Sequence, residues 1–212
     1  MSEIIKLPDF KGNWKEAWKE RTPIVELIVT IVVMYGIGLF LTPFFAYIQL
    51  RTGAVINDPI LNLITPRDVS GFTFIFGHLS TLMGLIYILF YPRLLTFTIQ
   101  IFAICTTMRI LSIYFIPLDP PVGIIPLVDP ILGKLFYHGT VITKDLFFSG
   151  HTVAALIMFM VVKNKILKII LLILAILIGS CLIIQHVHYS FDVIAAPFFT
   201  WIAYKIVIMA HK

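Results

Sequence analysis

The chain has 212 residues, 59% of them hydrophobic and 13% charged, with a formal net charge of +5 and a mean hydropathy of +1.00. Soluble domains average about 45–50% apolar and about 25% charged residues, and a chain of this length cannot hide so many apolar runs in one water-soluble core. The composition therefore excludes a soluble enzyme or binding module, and the surplus apolar surface is expected to face lipid.

Residues 1–23 are read as a cytoplasmic N-terminal segment. Its stretch Asn13-Trp14-Lys15-Glu16-Ala17-Trp18 suits a short amphipathic helix along the membrane, with both tryptophans at headgroup level. A transmembrane helix needs roughly 20 apolar residues, and candidate runs follow at 24–48, 72–91, 94–116, 146–162, 166–186 and 191–209. The first is long enough to tilt and too long for the core of a cleavable signal. The fourth is short, and Phe147 and Phe148 are taken to extend its outer end. The expectation is an all-α membrane protein with about six transmembrane helices in a single bundle. Residues 1–212 form one membrane domain, in which 24–209 are the six-helix catalytic bundle.

Basic residues concentrate in cytoplasmic segments. With the N-terminus inside, Lys6, Lys11, Lys15, Lys19, Arg21, Arg93, Lys163, Lys165, Lys168, Lys205 and Lys212 are cytoplasmic, against Arg51, Arg67, Lys134 and Lys144 outside. Eleven against four places both termini in the cytoplasm. The positive charge is thus a topology signal with some attraction to anionic lipid, and it does not suggest nucleic acid. Cys105 and Cys181 both fall inside predicted spans and read as packing residues.

Ionisable groups inside or at the ends of membrane helices are costly, so they are functional candidates. Here they gather at the outer ends of the predicted helices. Asp145, Ser149, Gly150 and His151 open the fourth. A Ser-Gly pair at a helix mouth offers backbone N–H groups, a hydroxyl and the positive end of the helix dipole to a phosphate, and His151 is placed to give a proton to a leaving oxygen. The plainer reading is a helix cap followed by a histidine. His188 and Asp192 are four apart and share a helix face; a carboxylate on one imidazole nitrogen leaves the other as base or nucleophile. Alone, that pair reads equally as a polar interfacial turn. His186-Val187-His188 is a zinc-like spacing, but no cysteine or third histidine at a familiar distance supports a metal. Glu26 reads as interfacial, His78 as a packed histidine, and Lys134 and His138 as outer-loop residues near a headgroup.

Taken together, these segments resemble the phosphatidic acid phosphatase type 2 superfamily, whose later motifs are Pro-Ser-Gly-His and a His with an Asp four residues on. The likeness is closer to its sphingomyelin synthase branch. It rests on Asp145 six residues before His151, on Phe148-Ser149-Gly150-His151-Thr152, and on His186-Val187-His188-Tyr189-Ser190-Phe191-Asp192-Val193. Arg109-Ile110-Leu111-Ser112-Ile113-Tyr114, ahead of Pro117, Pro120 and Pro121, is similar to that branch's Arg-containing motif. The resemblance covers roughly residues 70–205. The first superfamily motif, a Lys with Arg-Pro seven residues on, is missing; Lys15 to Arg21 imitates it on the cytoplasmic side but has Thr22 before Pro23. Cys181-Leu182 stands where the phosphatases have Ser-Arg. Two of the usual phosphate-binding cations are therefore absent, leaving Arg109.

The resemblance implies a membrane enzyme that moves a phospho-headgroup between lipids at the outer leaflet, without metal or cofactor. His188, oriented by Asp192, is the implied nucleophile and His151 the acid and base. Arg109, Ser149 and Gly150 hold the phosphate, Asp145 orients His151 or the acceptor, and Tyr114 and His186 contact the substrate. Its partners are phospholipid and lipid-alcohol substrates within membrane lipid. The rivals are a lipid phosphate or isoprenoid pyrophosphate phosphatase, including phospholipase C-like hydrolysis, and a transporter or non-catalytic membrane protein.

Overall fold

The computed structural model describes residues 10–127 and 141–211. Lys6, Lys134, His138 and Lys212 lie outside the described residues. In chain order the helices are α1 (Phe10–Lys19), α2 (Arg21–Leu50), α3 (Ser70–Leu89), α4 (Pro92–Phe115), α5 (Gly150–Val161), α6 (Lys165–Ile184) and α7 (Ser190–Ala210), with one short 3₁₀ turn at Leu61–Leu63. No strand occurs among the described residues. Five helices, α2, α3, α4, α6 and α7, are long and apolar enough to cross a membrane. This is an all-α, multi-pass membrane bundle.

The fourth expected span needs correction. Helix α5 starts at Gly150, and Phe147 and Phe148 do not extend it, because both have positive φ (74° and 33°). Left-handed backbone cannot continue a right-handed helix. The turn instead buries Phe148 completely, stacked on Phe199 at 4.4 Å between ring centroids. At 1.5 Å per residue the 12-residue α5 is about 18 Å long, short of a hydrocarbon core of about 30 Å. It tolerates this because protein surrounds it: α3, α4, α6 and α7 all pack against it. Thr152, Val153, Ala155, Leu156, Ile157, Met158 and Val161 are buried. By contrast α2 packs chiefly on α4 and α1, and leaves Val29, Val32, Tyr35 and Leu39 more than half exposed, as a lipid-facing helix does.

The two ends of the bundle differ in chemistry. At one end α1 closes the C-terminus of α3: Asn13 Nδ2 donates to Phe90 O (2.8 Å) and Trp14 Nε1 to Leu89 O (2.8 Å). Those are carbonyls that a helix end leaves without an internal partner. Trp18 stays 65% exposed, and Arg93 pairs with Glu20. Glu26 meets Gln100 Nε2 (2.9 Å) and His211 Nε2 (3.2 Å) at the same end. At the other end the loops knit into one layer. Ala54 and Leu118 form a short bridge, Gln49 Oε1 accepts from Lys144 N (2.8 Å), and Lys144 pairs with Asp119 (2.7 Å). Gln185, fully buried, donates to Ser70 Oγ (2.8 Å) and Ile125 O (3.0 Å), joining the end of α6 to the start of α3 and to the 116–127 loop. The motif residues sit under this layer.

Candidate active site

The site is built where α5 and α7 begin. Asp192, in the first turn of α7, has no solvent exposure and His188 is 3% exposed. His188 Nδ1 lies 3.2 Å from Asp192 Oδ2, which also accepts from Tyr189 N (3.2 Å). An ionised carboxylate only accepts hydrogen bonds, so Nδ1 carries the hydrogen and Nε2 of the neutral ring carries the lone pair. No hydrogen bond to that Nε2 occurs among the described residues. Asp192 Oδ1 is buried and likewise has no hydrogen-bond partner among them.

The second motif reaches the same spot through the backbone. Ser149 N donates to Asp192 O (3.1 Å), which brings the mouth of α5 against the first turn of α7. Ser149 is the N-cap of α5: its hydroxyl accepts from Thr152 N (3.3 Å) and Thr152 Oγ1 (3.1 Å). Its buried side chain is thus used first as a cap, a standard role for serine at that position. The Gly150 N–H makes no hydrogen bond among the described residues, as expected of the first residue of a helix.

Arg109 arrives from α4. Its Nε donates to Phe148 O (3.1 Å) and its Nη2 pairs with Asp145 Oδ1. The guanidinium lies so close over Gly150 that a β-carbon there would stand 2.4 Å from Nη1 and 2.6 Å from Cζ. His151, exposed, follows in the first turn of α5. Arg109, Asp145, Ser149, Gly150, His188 and Asp192 therefore form one connected set, with His151 adjoining it in sequence.

Two expected contact residues are used elsewhere. Tyr114 lies five residues beyond Arg109, about 140° around the helix. Its ring packs 5.8 Å from the Arg51 guanidinium and its carbonyl accepts from Arg51 Nη1 (2.7 Å). His186 has a positive φ of 55°, with Nδ1 3.1 Å from Val122 O and Nε2 3.0 Å from Ile64 O. Both of its nitrogens are turned to backbone carbonyls, so the ring pins two loops. Asp145, expected to orient His151 or the acceptor, pairs with Arg109.

Sequence reasoning missed Asp58. It is 4% exposed and accepts from Ser190 N (2.6 Å), Ser190 Oγ (2.9 Å), Ile60 N (2.9 Å) and Leu61 N (3.3 Å). Burial pushes its carboxyl up, but the bonds from Ser190, Leu61 and Ile60 outweigh this and hold it below the usual aspartate range. Tyr189 anchors the same loop layer, packed with Leu61, Leu118 and Leu146. It is fully buried, donates to Asp119 O (2.8 Å) and accepts from Ile56 N (3.1 Å). A cavity of about 270 Å³ lies in the loop layer among Ile56, Asn57, Asp58, Asn62, Val122 and His186, away from Arg109. Among the described residues no group of three or more His, Cys, Asp or Glu is arranged to hold a metal ion.

Residues 144–209 match the family model described as PAP2 superfamily C-terminal. The matched stretch runs from Lys144 through α5, α6 and most of α7, and so contains Asp145, Ser149 to His151, His188 and Asp192; Arg109 and Asp58 lie before it. The match supports the PAP2 superfamily for this chain, and members of that superfamily are phosphatases or related phosphotransferases. An enzyme acting on lipid phosphates within a membrane is the reading that this supports. No curated protein matches the chain at a significant level.

Proposed function

We propose that this chain is a lipid phosphotransferase, similar to the sphingomyelin synthase branch, that moves a phospho-headgroup from one lipid to the hydroxyl of another. The observation that carries the reading is the hydrogen bond from Ser149 N to Asp192 O, which sets a buried His–Asp pair beside a helix N-terminus and an arginine. His188 Nε2 attacks phosphorus as the bond to the departing alcohol breaks, giving a phosphohistidine, and His151 gives that alcohol its proton. In the second half His151 takes the proton of the acceptor hydroxyl, whose oxygen displaces His188 from phosphorus. Arg109 and the Gly150 N–H face the equatorial oxygens, and Asp145 fixes the plane of the guanidinium. Tyr114 and His186 are given structural roles.

Charge favours a phosphodiester as donor. Arg109 is paired with Asp145 and Lys144 with Asp119, so the cations near the site already have carboxylate partners. A monoester dianion costs more to desolvate than a diester with a single charge, and a site whose cations are already paired repays less of that cost. The superfamily match itself fits a phosphatase equally, and water in place of the acceptor alcohol turns the same steps into hydrolysis. By the bias of basic residues, the site end is assigned to the outer face, with both termini in the cytoplasm.

The test is incubation of purified protein with phosphatidylcholine, phosphatidylethanolamine and phosphatidic acid, each with and without ceramide or diacylglycerol. Products are read by mass spectrometry. Acceptor-dependent headgroup transfer is expected. Phosphate release from phosphatidic acid alone makes the protein a phosphatase, and no turnover of any of these lipids refutes the reading.

A further inference from the structure

Asp58 lies in the loop between α2 and α3, 132 residues from its partner Ser190. An aspartate this buried is rare without a cation, yet among the described residues Asp58 forms no ion pair. Its charge is met by N–H and O–H donors. The shortest of these contacts, 2.6 Å, comes from Ser190 N, the first N–H of α7. That is the positive end of the helix dipole, where a carboxylate is most favoured.

The start of α7 is thereby gripped from two sides. Asp192 takes Tyr189 N from within the helix, and Asp58 takes Ser190 N and Oγ from outside it. His188 stands immediately before this grip. Its bond to Asp192 is 3.2 Å long, so a backbone shift of about 0.3–0.5 Å puts it outside hydrogen-bonding range. Catalytic groups need placement to within about 0.5 Å. Asp58 is itself fixed: its Oδ1 takes the N–H groups of Ile60 and Leu61, and Leu61 is buried with Leu118, Leu146 and Tyr189.

We infer that Asp58 is a positioning residue for the transfer reaction, holding the 188–190 turn so that His188 keeps its bond to Asp192. The inference rests on the proposed role of His188 as nucleophile. It assigns a function to the α2–α3 loop, which lies outside the matched segment 144–209.

The experiment uses the full chain in mixed micelles, with phosphatidylcholine, phosphatidylethanolamine and phosphatidic acid carrying radiolabelled phosphorus. It reads kcat, KM, thermal stability and the rate at which acid-labile, alkali-stable label appears on protein. For Asp58→Asn, kcat and the rate of label formation are expected to fall together, about 10- to 100-fold, with KM within about threefold. Either orientation of the amide sets an NH₂ against a backbone N–H. Ser190→Ala is expected to lose severalfold in kcat and Ser190→Thr, which keeps the hydroxyl, to recover it. Asp119→Asn, in the same loop layer, controls for general loosening and is expected to keep kcat within about threefold.

A loss in Asp119→Asn equal to that in Asp58→Asn overturns the inference. So does a KM effect with kcat unchanged, or a Ser190→Ala protein at the wild-type kcat. If Asp58→Asn does not fold, the two Ser190 variants decide by the same criteria. Absence of label on the wild-type protein during turnover refutes His188 as nucleophile, and the positioning role falls with it. Label on wild type formed equally fast by Asp58→Asn refutes the positioning role alone.

Discussion

Gly150 owes its identity to Arg109, since any side chain there occupies the space of the guanidinium. Gly150→Ala should therefore displace Arg109 from the mouth of α5 while leaving the helix formed. A misplacement of about 1 Å costs on the order of 100-fold in rate, and that loss is expected in kcat with little change in thermal stability. Arg109→Lys keeps a charge but loses the Nε bond to Phe148 O and the planar fork that meets two oxygens at once. A loss of similar size, on the order of 100-fold, is expected; wild-type rates in both variants exclude Arg109 as the phosphate clamp. The two histidines should fail differently. His188→Ala should give neither product nor phosphohistidine. His151→Ala should slow turnover about 10²- to 10⁴-fold, with partial recovery on a substrate whose aryl leaving group needs no proton. Equal recovery of both variants on that substrate argues against the division of roles.

The helices were legible from their apolar runs, and all six expected runs begin within about four residues of a helix in the structure. What failed was the end of α5. An apolar pair such as Phe147-Phe148 looks like more helix, because hydropathy cannot see backbone handedness. Its conformation is set by long-range partners, Phe199 for the Phe148 ring and Arg109 Nε for its carbonyl. The Ser-Gly-His and His-x-x-x-Asp pairings were legible because each is local, at or just before the first turn of a helix, although His188 itself precedes α7 where a shared helix face was expected. Asp58 was not, since an aspartate ahead of Pro59 reads as any turn residue and nothing in the spacing links it to Ser190. The loop elements also make a prediction about acid. Asp119 is held below the usual aspartate range chiefly by its hydrogen bond with Lys144, opposed by desolvation and helped by Gly53 N–H. Asp58 is lowered as well. Both folded pKa values lie below the ordinary 3.8, so the unfolded chain binds more protons across that window and stability rises with pH there. Their contribution is fully present above about pH 4–5 and is lost as the pH falls through the lowered values. Thermal unfolding in detergent between pH 6 and pH 3 should show a steep fall at the acid end. Asp119→Asn should flatten it, and an unchanged slope in that variant removes Asp119 from the account.

At the scale of the molecule, the bundle is polar in two senses at once. Among the described residues Lys11, Lys15, Lys19, Arg21, Arg93, Lys163, Lys165, Lys168 and Lys205 belong to the α1 end, and Arg51, Arg67 and Lys144 to the site end. The helices alternate in direction, and this places the motif residues at the basic-poor end without reference to charge. Short basic segments stay in the cytoplasm, so the site end is predicted to face outward. The α1 helix supports this assignment: it leaves Trp18 exposed and sets Lys15 and Lys19 on its solvent side, as expected of an interfacial helix on an anionic leaflet. Single cysteines test the orientation. Val122, 80% exposed in the loop layer, and Glu16, exposed on α1, are suitable positions. Native Cys105 and Cys181 are both buried and should add little background. In intact cells a membrane-impermeant maleimide should label Val122→Cys, and Glu16→Cys only after permeabilisation. The reverse pattern puts the His188–Asp192 pair on the cytoplasmic face, so that donor and acceptor lipids come from the inner leaflet. Labelling of both positions in intact cells means dual orientation, which a nine-to-three bias in basic residues argues against.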